Sequence, residues 1–299
     1  MQGKFTFALK GLLAFTVIAL IIAVLIAMLA LRNNPARAPL GELRQISSAD
    51  TTIEYVVGGP NNGIPVILLA SYARSVSDFN ELSATLRSKG YRSLAMHARG
   101  VGNSALPSLR TSLFDYAEDL RSILDAEGLS SPVPLIGHAF GNRIARAFAS
   151  RYPERVDSLI LISAGDSAPP PKIRDAIMTV MLNLWPETQR EKALHHAFFA
   201  PGNSAPQHWL SGWYPLAGLA QAHASANTPA EKWTAAGGKP IFVIQSQFDT
   251  AAPASGQALL QRLPTQVILY DLANAGHAAL PEQPELIAQL ILDYLSERN

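Results

Sequence analysis

The sequence predicts an α/β domain, a mostly parallel sheet with helices on both faces, set behind an apolar N-terminal segment. From about Thr52 onward, short β-branched runs alternate with longer helical patterns, as βαβ units require. One strand, beginning at Val133, runs through a glycine-flanked turn directly into a helix. Gly11 to Leu31 carries no charge and would extend about 30 Å as a helix, the thickness of a bilayer core.

In chain order, residues 1–10 form a short basic tail containing Lys4 and Lys10, and 11–31 are expected to be a transmembrane anchor. A secretory signal peptide would have an apolar stretch of about 7–15 residues and a small-x-small cleavage site. Here Ala36-Arg37-Ala38 is followed by Pro39, a poor site, so an uncleaved anchor is the better reading. Arg32, Arg37 and Arg44 follow the segment, and the charge rule nearly ties. The short basic tail ahead of a first apolar helix then favours a single-pass protein with its globular part on the outer, periplasmic or extracytoplasmic, face. Residues 32–45 hold Pro35, Pro39 and Gly41 without an apolar period and read as a juxtamembrane linker.

The domain is expected over 46–299. Its strands are predicted at Thr52–Val57, Pro65–Ala70, Tyr91–His97, Val133–Gly137, Val156–Ser163, Pro240–Gln245 and Gln266–Asp271. Helical patterns lie at Ser77–Lys89, Leu113–Glu127, Phe140–Arg151, Ser255–Arg262 and Pro284–Ser296. The alternation breaks at about 166–239, which has no strand pattern and holds Trp185, Trp209, Trp213 and Trp233, all the tryptophans of the chain. This helical insertion is either a lid over an apolar pocket or a subdomain with an aromatic core.

Composition narrows the chemistry. Lys+Arg total 24 against 23 Asp+Glu, a net charge of +1, so no polyanionic partner is indicated and nucleic acid is not expected. The absence of cysteine excludes disulfides, thiol nucleophiles and thiolate metal sites. His195-His196, His208 and His223 lack ligand-like spacing, so neither a metal nor a cofactor is expected.

The segment Val133-Pro134-Leu135-Ile136-Gly137-His138-Ala139-Phe140-Gly141-Asn142-Arg143 is a buried strand, a sharp turn and a helix start. In a G-x-S-x-G nucleophile elbow the flanking glycines let neighbouring backbone approach a strained central residue. Here the motif reads G-H-A-F-G. With it come Arg99-Gly100-Val101-Gly102-Asn103-Ser104, Phe148 to Val156 read as FASRYPERV, Gln247-Phe248-Asp249-Thr250, and Ala275-Gly276-His277. On these residues the chain resembles the α/β-hydrolase family, of the AB hydrolase-1 type, from about Thr52 to Ser296, with the insertion as the family's variable cap.

The resemblance implies the α/β-hydrolase fold and the order nucleophile position, acid, histidine, which fall on Ala139, Asp249 and His277. It also implies an oxyanion hole from the backbone N–H groups of Phe140 and of Ser71 or Tyr72. There are two departures. Ala70-Ser71-Tyr72 stands where the family has a His-Gly pair, and a methyl group at Ala139 can neither attack a carbonyl nor form an acyl-enzyme. The initiator Met and the lack of a tag or fusion scar favour a natural alanine over an engineered trap. Asp166 is a second candidate acid, and Asp249 could instead be a simple turn cap. His138 and His97 read as packed structural histidines, and Arg143 and Arg146 as a solvated face or salt-bridge partners.

Three functions follow from this reading. The first is a membrane-anchored, hydrolase-like enzyme acting on a small apolar ester- or acyl-type substrate through a His277–Asp249 dyad and a backbone oxyanion hole, without a Ser nucleophile. The second is a non-catalytic ligand-binding pseudohydrolase, and the third a scaffold at the membrane. Retention of Gly137, Gly141, Asp249 and His277 ranks them in that order.

Overall fold

The computed structural model describes residues 2–32, 36–48, 51–108 and 110–298, with the side chains of 2–14 and of residue 48 outside that description. The β-branched runs form strands β1 (Glu42–Ser48), β2 (Thr51–Gly58), β3 (Ile64–Leu69), β4 (Tyr91–Met96), β5 (Val133–His138), β6 (Val156–Ile162), β7 (Ile241–Ser246) and β8 (Val267–Leu272). They join into one 8-stranded sheet of order β1-β2-β4-β3-β5-β6-β7-β8. β1 and β2 pair antiparallel with their neighbours, and every pair from β4 to β8 is parallel. The C-terminal ends of β3, β5, β7 and β8 therefore open on one edge of the sheet, where loops of such sheets build sites.

Both faces are covered. On one side α3 (Leu113–Ala126), α4 (Phe140–Arg151) and α8 (Ser255–Arg262) bury Tyr116, Leu120, Phe148 and Leu259 against Ile67, Leu135, Leu161 and Val243. On the other, α2 (Asn80–Ser88), the single turn α9 (Ala279–Glu282) and α10 (Pro284–Ser296) bury Leu86, Leu280, Ile287 and Ile291 against Leu68, Ile136, Ile160 and Ile244. Because the central strands are buried on both faces, they read as continuous apolar runs and not as alternating ones.

Between β6 and β7 lie α5 (Pro171–Met181), α6 (Glu187–Phe198) and α7 (Pro215–Asn227), which build a cap with its own core of Val180, Met181, Leu194, Phe198, Trp209 and Trp213. The four tryptophans divide among different environments. Trp209 and Trp213 sandwich the Arg74 guanidinium at 4.5 and 4.6 Å, Trp233 joins the main core, and Trp185 remains 37% exposed.

At the N-terminal side one expectation changes and another is not shown. Residues 42–45 are not linker but the start of β1, which pairs from Glu42↔Val57 to Ser48↔Thr51. Leu43 is exposed there, so this edge strand lacks the apolar signal of the inner strands. A helix, α1, does run from Gln2 to Ala30, but among the described residues no helix is long and apolar enough to cross a membrane. The span expected over 11–31 is thus not shown: 11–14 fall outside the described side chains, and the remainder of α1 is shorter than the roughly 20 residues a bilayer core needs.

Candidate active site

The elbow is built as the local sequence requires. Ala139, between β5 and α4, sits at φ 47° and ψ −107°, a backbone conformation that costs a non-glycine residue on the order of 1–3 kcal/mol. It is held by hydrogen bonds from its N–H to the Ile162 carbonyl, 3.0 Å, and from the Asn142 N–H to its own carbonyl, 3.1 Å. The glycines explain the tight turn. A Cβ on Gly137 would come within 2.7 Å of the Gly141 and Asn142 backbone, and one on Gly141 would overlap the Leu69 carbonyl.

That close approach brings the first turn of α4 against the end of β3 and the Ala70-Ser71-Tyr72 loop. The Phe140 N–H is the first of the orphan donors at the helix N-terminus. Among the described residues the N–H groups of Ser71 and Tyr72 make no backbone hydrogen bond. Burial pushes the Tyr72 hydroxyl up to about 12, so it stays protonated.

The acid and histidine loops follow β7 and β8, neighbours in the sheet, and they meet. His277 Nδ1 lies 2.9 Å from Asp249 Oδ1, with His277 8% and Asp249 4% exposed. Oδ1 also accepts the N–H groups of Ala251 and Ala252 at 3.0 and 2.7 Å, so Asp249 caps its turn and orients the ring together. Burial works to raise the Asp249 carboxyl, but the His277 ring and those N–H donors outweigh it and hold it below the usual carboxylate range. An ionised acceptor places the His277 hydrogen on Nδ1 and leaves Nε2 bare; among the described residues Nε2 has no hydrogen-bond partner.

Two residues hold this loop in place: His138, read from the sequence as a packed structural histidine, and Glu282, which sequence reasoning passed over. His138 Nε2 is 2.9 Å from the His277 carbonyl oxygen, an acceptor only, so Nε2 carries the hydrogen. Burial, and then the neighbouring His277 ring, lower the His138 ring to about 4, so it stays neutral and keeps that geometry. Glu282 accepts the Gly276 N–H at 2.6 Å, the Ala200 N–H at 2.8 Å and the Asn203 amide at 2.7 Å. With Ala278 N–H donating to the Phe198 carbonyl at 2.8 Å, this staples the histidine loop to the end of α6. The His138 side of this was hinted at by its place inside the elbow; no local signal marks Glu282.

Other candidates are committed elsewhere. Asp166 pairs with Arg146 and Arg262, which, against the effect of its burial, hold it below the usual carboxylate range, and it does not reach His277. Arg146 is no solvated residue: it is fully buried, bonded to Asp166, to Asn142 and to the Thr234 carbonyl, with its guanidinium 4.8 Å from the Trp233 ring. Arg143 donates to the carbonyls of Gly165 and Ser167. His97 is packed against Glu54, 2.7 Å from Nδ1, and Ser75, 3.2 Å from Nε2. Among the described residues no group of three His, Cys, Asp or Glu could hold a metal ion. A cleft of about 670 Å³ opens on the cap between Glu187, Arg190, Gln207, His208, Leu210 and Ser211, and none of the elbow, acid or histidine residues lines it.

Known proteins bear on this arrangement. The profile of the α/β hydrolase fold family matches residues 64–204, which contain the elbow. A non-heme chloroperoxidase of Streptomyces lividans is 34% identical over 119 residues, 40% of this chain and 43% of that protein. The chain thus spans less than half the length of that relative. The RutD protein of Caulobacter segnis, whose name is that of a carbamate hydrolase, is 27% identical over 259 residues, 80% of this chain and 94% of its own. Among solved structures, the esterase RhEst1 from Rhodococcus sp. ECU1013 superposes with a TM-score of 0.71 at 19% identity, over 86% of this chain and 99% of that one. A membrane phospholipase A described as a bacterial virulence factor superposes with a TM-score of 0.69 at 20% identity, over 100% of this chain and 99% of that one. With the strand order, the elbow and the paired acid and histidine loops in place, these likenesses identify the chain as a protein of the α/β-hydrolase fold.

Proposed function

We propose that this protein is a hydrolase-like enzyme for a small, largely apolar ester- or acyl-type substrate that works without a serine nucleophile. The observation that carries the reading is the His277–Asp249 pair, 2.9 Å apart, whose Nε2 remains bare on the loop that His138 ties to the elbow. Asp249 fixes the tautomer and stabilises the charge that forms when Nε2 takes a proton. With a methyl group at Ala139 there is no covalent intermediate, so His277 removes the proton from a water that attacks the acyl carbon. The oxyanion is met by the N–H groups of Phe140 and of Ser71 or Tyr72. Positioning and electrostatics of this kind retain roughly 10³–10⁴-fold acceleration in a protease stripped of its triad.

The helix α1 serves as a membrane anchor that places the domain on the outer face. Its support is the exposure of apolar side chains all round the helix, from Phe15 at 70% through Leu20 at 64% to Met28 at 67%, which no one-sided protein contact would cover. A second reading, a ligand-binding pseudohydrolase, is favoured by the alanine alone. An activity screen over short- and medium-chain esters, run beside His277→Ala and Ala139→Ser, separates the two. Saturable ligand binding with no product in the wild type, or product formation that His277→Ala leaves intact, overturns the enzyme reading.

A further inference from the structure

The end of α1 is not free of the domain. Asn183, in the turn between α5 and α6, donates its N–H to the Ala30 carbonyl at 3.3 Å and its side-chain amide to the Arg32 carbonyl at 2.6 Å, and Ala30 is 7% exposed. The cap therefore begins where the apolar helix stops. Leu184 and Trp185 follow Asn183 directly and are 44% and 37% exposed. Two chain steps put them within about 7 Å of that contact. The other tryptophans are buried to 1 or 2% exposure, so the cap turns a single indole outward, beside the end of α1.

A second pair of exposed apolar side chains lies on α7, the helix packed against the end of α5. Met181, at the end of α5, packs so closely on Gly218 that a Cβ there would come within 2.7 Å of its sulfur. On that helix Leu216 and Leu219 are 40% and 44% exposed. Gly218 turns toward the candidate site, where the same Cβ would stand 3.2 Å from the Tyr72 ring. One helix thus separates the apolar surface of the cap from the loop that would supply the oxyanion donors.

We infer that Leu184, Trp185, Leu216 and Leu219 form a lipid-docking face that seats the cap in the headgroup region of the bilayer, an inference that rests on α1 being a membrane anchor. The occupant follows from continuity. The large apolar side chains of α1 from Val17 to Leu29 are at least 47% exposed, so what covers them surrounds the helix as a solvent does, and Leu184 and Trp185 adjoin its end. Tryptophan suits that position, because its apolar ring and polar N–H match the headgroup boundary. Burial of such faces extends about 5–10 Å into the interface, within the reach of this turn.

The test uses the full chain with phosphatidylcholine–phosphatidylglycerol vesicles in which some lipids carry a doxyl quencher near the headgroup end of an acyl chain. Flotation reports attachment, and tryptophan fluorescence reports Trp185. The expected result is flotation of both wild type and Trp185→Phe, with quenching in the wild type lost in Trp185→Phe and retained in Trp233→Phe. Flotation with quenching unchanged by Trp185→Phe overturns the docking face and leaves the anchor standing. Failure to float overturns both. Flotation without quenching, together with a dimer in detergent that Trp185→Phe dissociates, overturns the lipid assignment and gives the patch to a second copy of the chain.

Discussion

Among the described residues are two buried histidine–carboxylate pairs, and they differ in what each leaves undone. His97 is enclosed: Glu54 takes its Nδ1 at 2.7 Å, Ser75 its Nε2 at 3.2 Å, and both residues are under 5% exposed. Glu54 is held down to about 2 by the His97 hydrogen bond, against its burial, with help from Asn103. His277 has the same kind of partner at 2.9 Å but keeps Nε2 bare. A pair with every valence satisfied is a fastening, whereas one with a bare nitrogen beside a strained turn can move a proton.

The sharpest way to break this contrast is to remove each ring. His277→Ala is expected to lower kcat/KM for the best ester found in a screen by about 10²–10⁴-fold, the range of a general base. His97→Asn is expected to leave that rate within a few fold and to lower the unfolding midpoint in urea. A large rate loss from His97→Asn, with His277→Ala silent, reverses the assignment.

The next effect is a gain. Ala139→Ser puts a hydroxyl at the elbow, and a fluorophosphonate probe is expected to label it while leaving the wild type unlabelled. Labelling should disappear in Ala139→Ser/His277→Ala. A covalent adduct on the unaltered chain shows that another residue is the nucleophile.

The fastening pair is read through stability. Because the Glu54 carboxyl is depressed to about 2 in the fold and stands near 4.3 unfolded, its contribution is fully present above about pH 4.3 and fades as pH falls toward 2. Glu54→Gln is expected to flatten urea unfolding in that window and to cost about 1–3 kcal/mol at neutral pH by leaving buried partners unpaired. Unchanged acid sensitivity in Glu54→Gln removes Glu54 from the account.

The smallest effect belongs to His138, which is lowered to about 4 in the fold against about 6.5 unfolded. Its contribution to stability is full above about pH 6.5 and is lost as pH falls toward 4. His138→Phe is expected to flatten that dependence and to reduce kcat about tenfold with KM little changed, because the His277 carbonyl loses its donor. A KM effect alone argues for a packing role.

Legibility followed locality. The inner strands and the elbow could be read because each is a run of chain with a strong local pattern: buried parallel strands are apolar throughout, and Gly137 answers the backbone of Gly141 and Asn142 a few residues on, whereas the close approach of Gly141 to Leu69 is a tertiary contact. Strand β1 was missed because Leu43 faces solvent and an edge strand owes its place to pairing with β2. The cap tryptophans fall close together in sequence, yet one joins the main core, two grip Arg74 and one faces out.

By itself the sequence determined the α/β class, the turn at Ala139 and the order in which acid and histidine follow it, since these rest on short-range patterns and covalent order. The tertiary structure decided which polar groups are free to act. It joined Asp166 to Arg146, enclosed His97, tied His138 to the carbonyl of His277 and clipped Glu282 to the cap. Each of those pairings closes across the sheet or between the domain and its cap, where burial makes an unpaired polar group costly, so only the packed fold could choose among them.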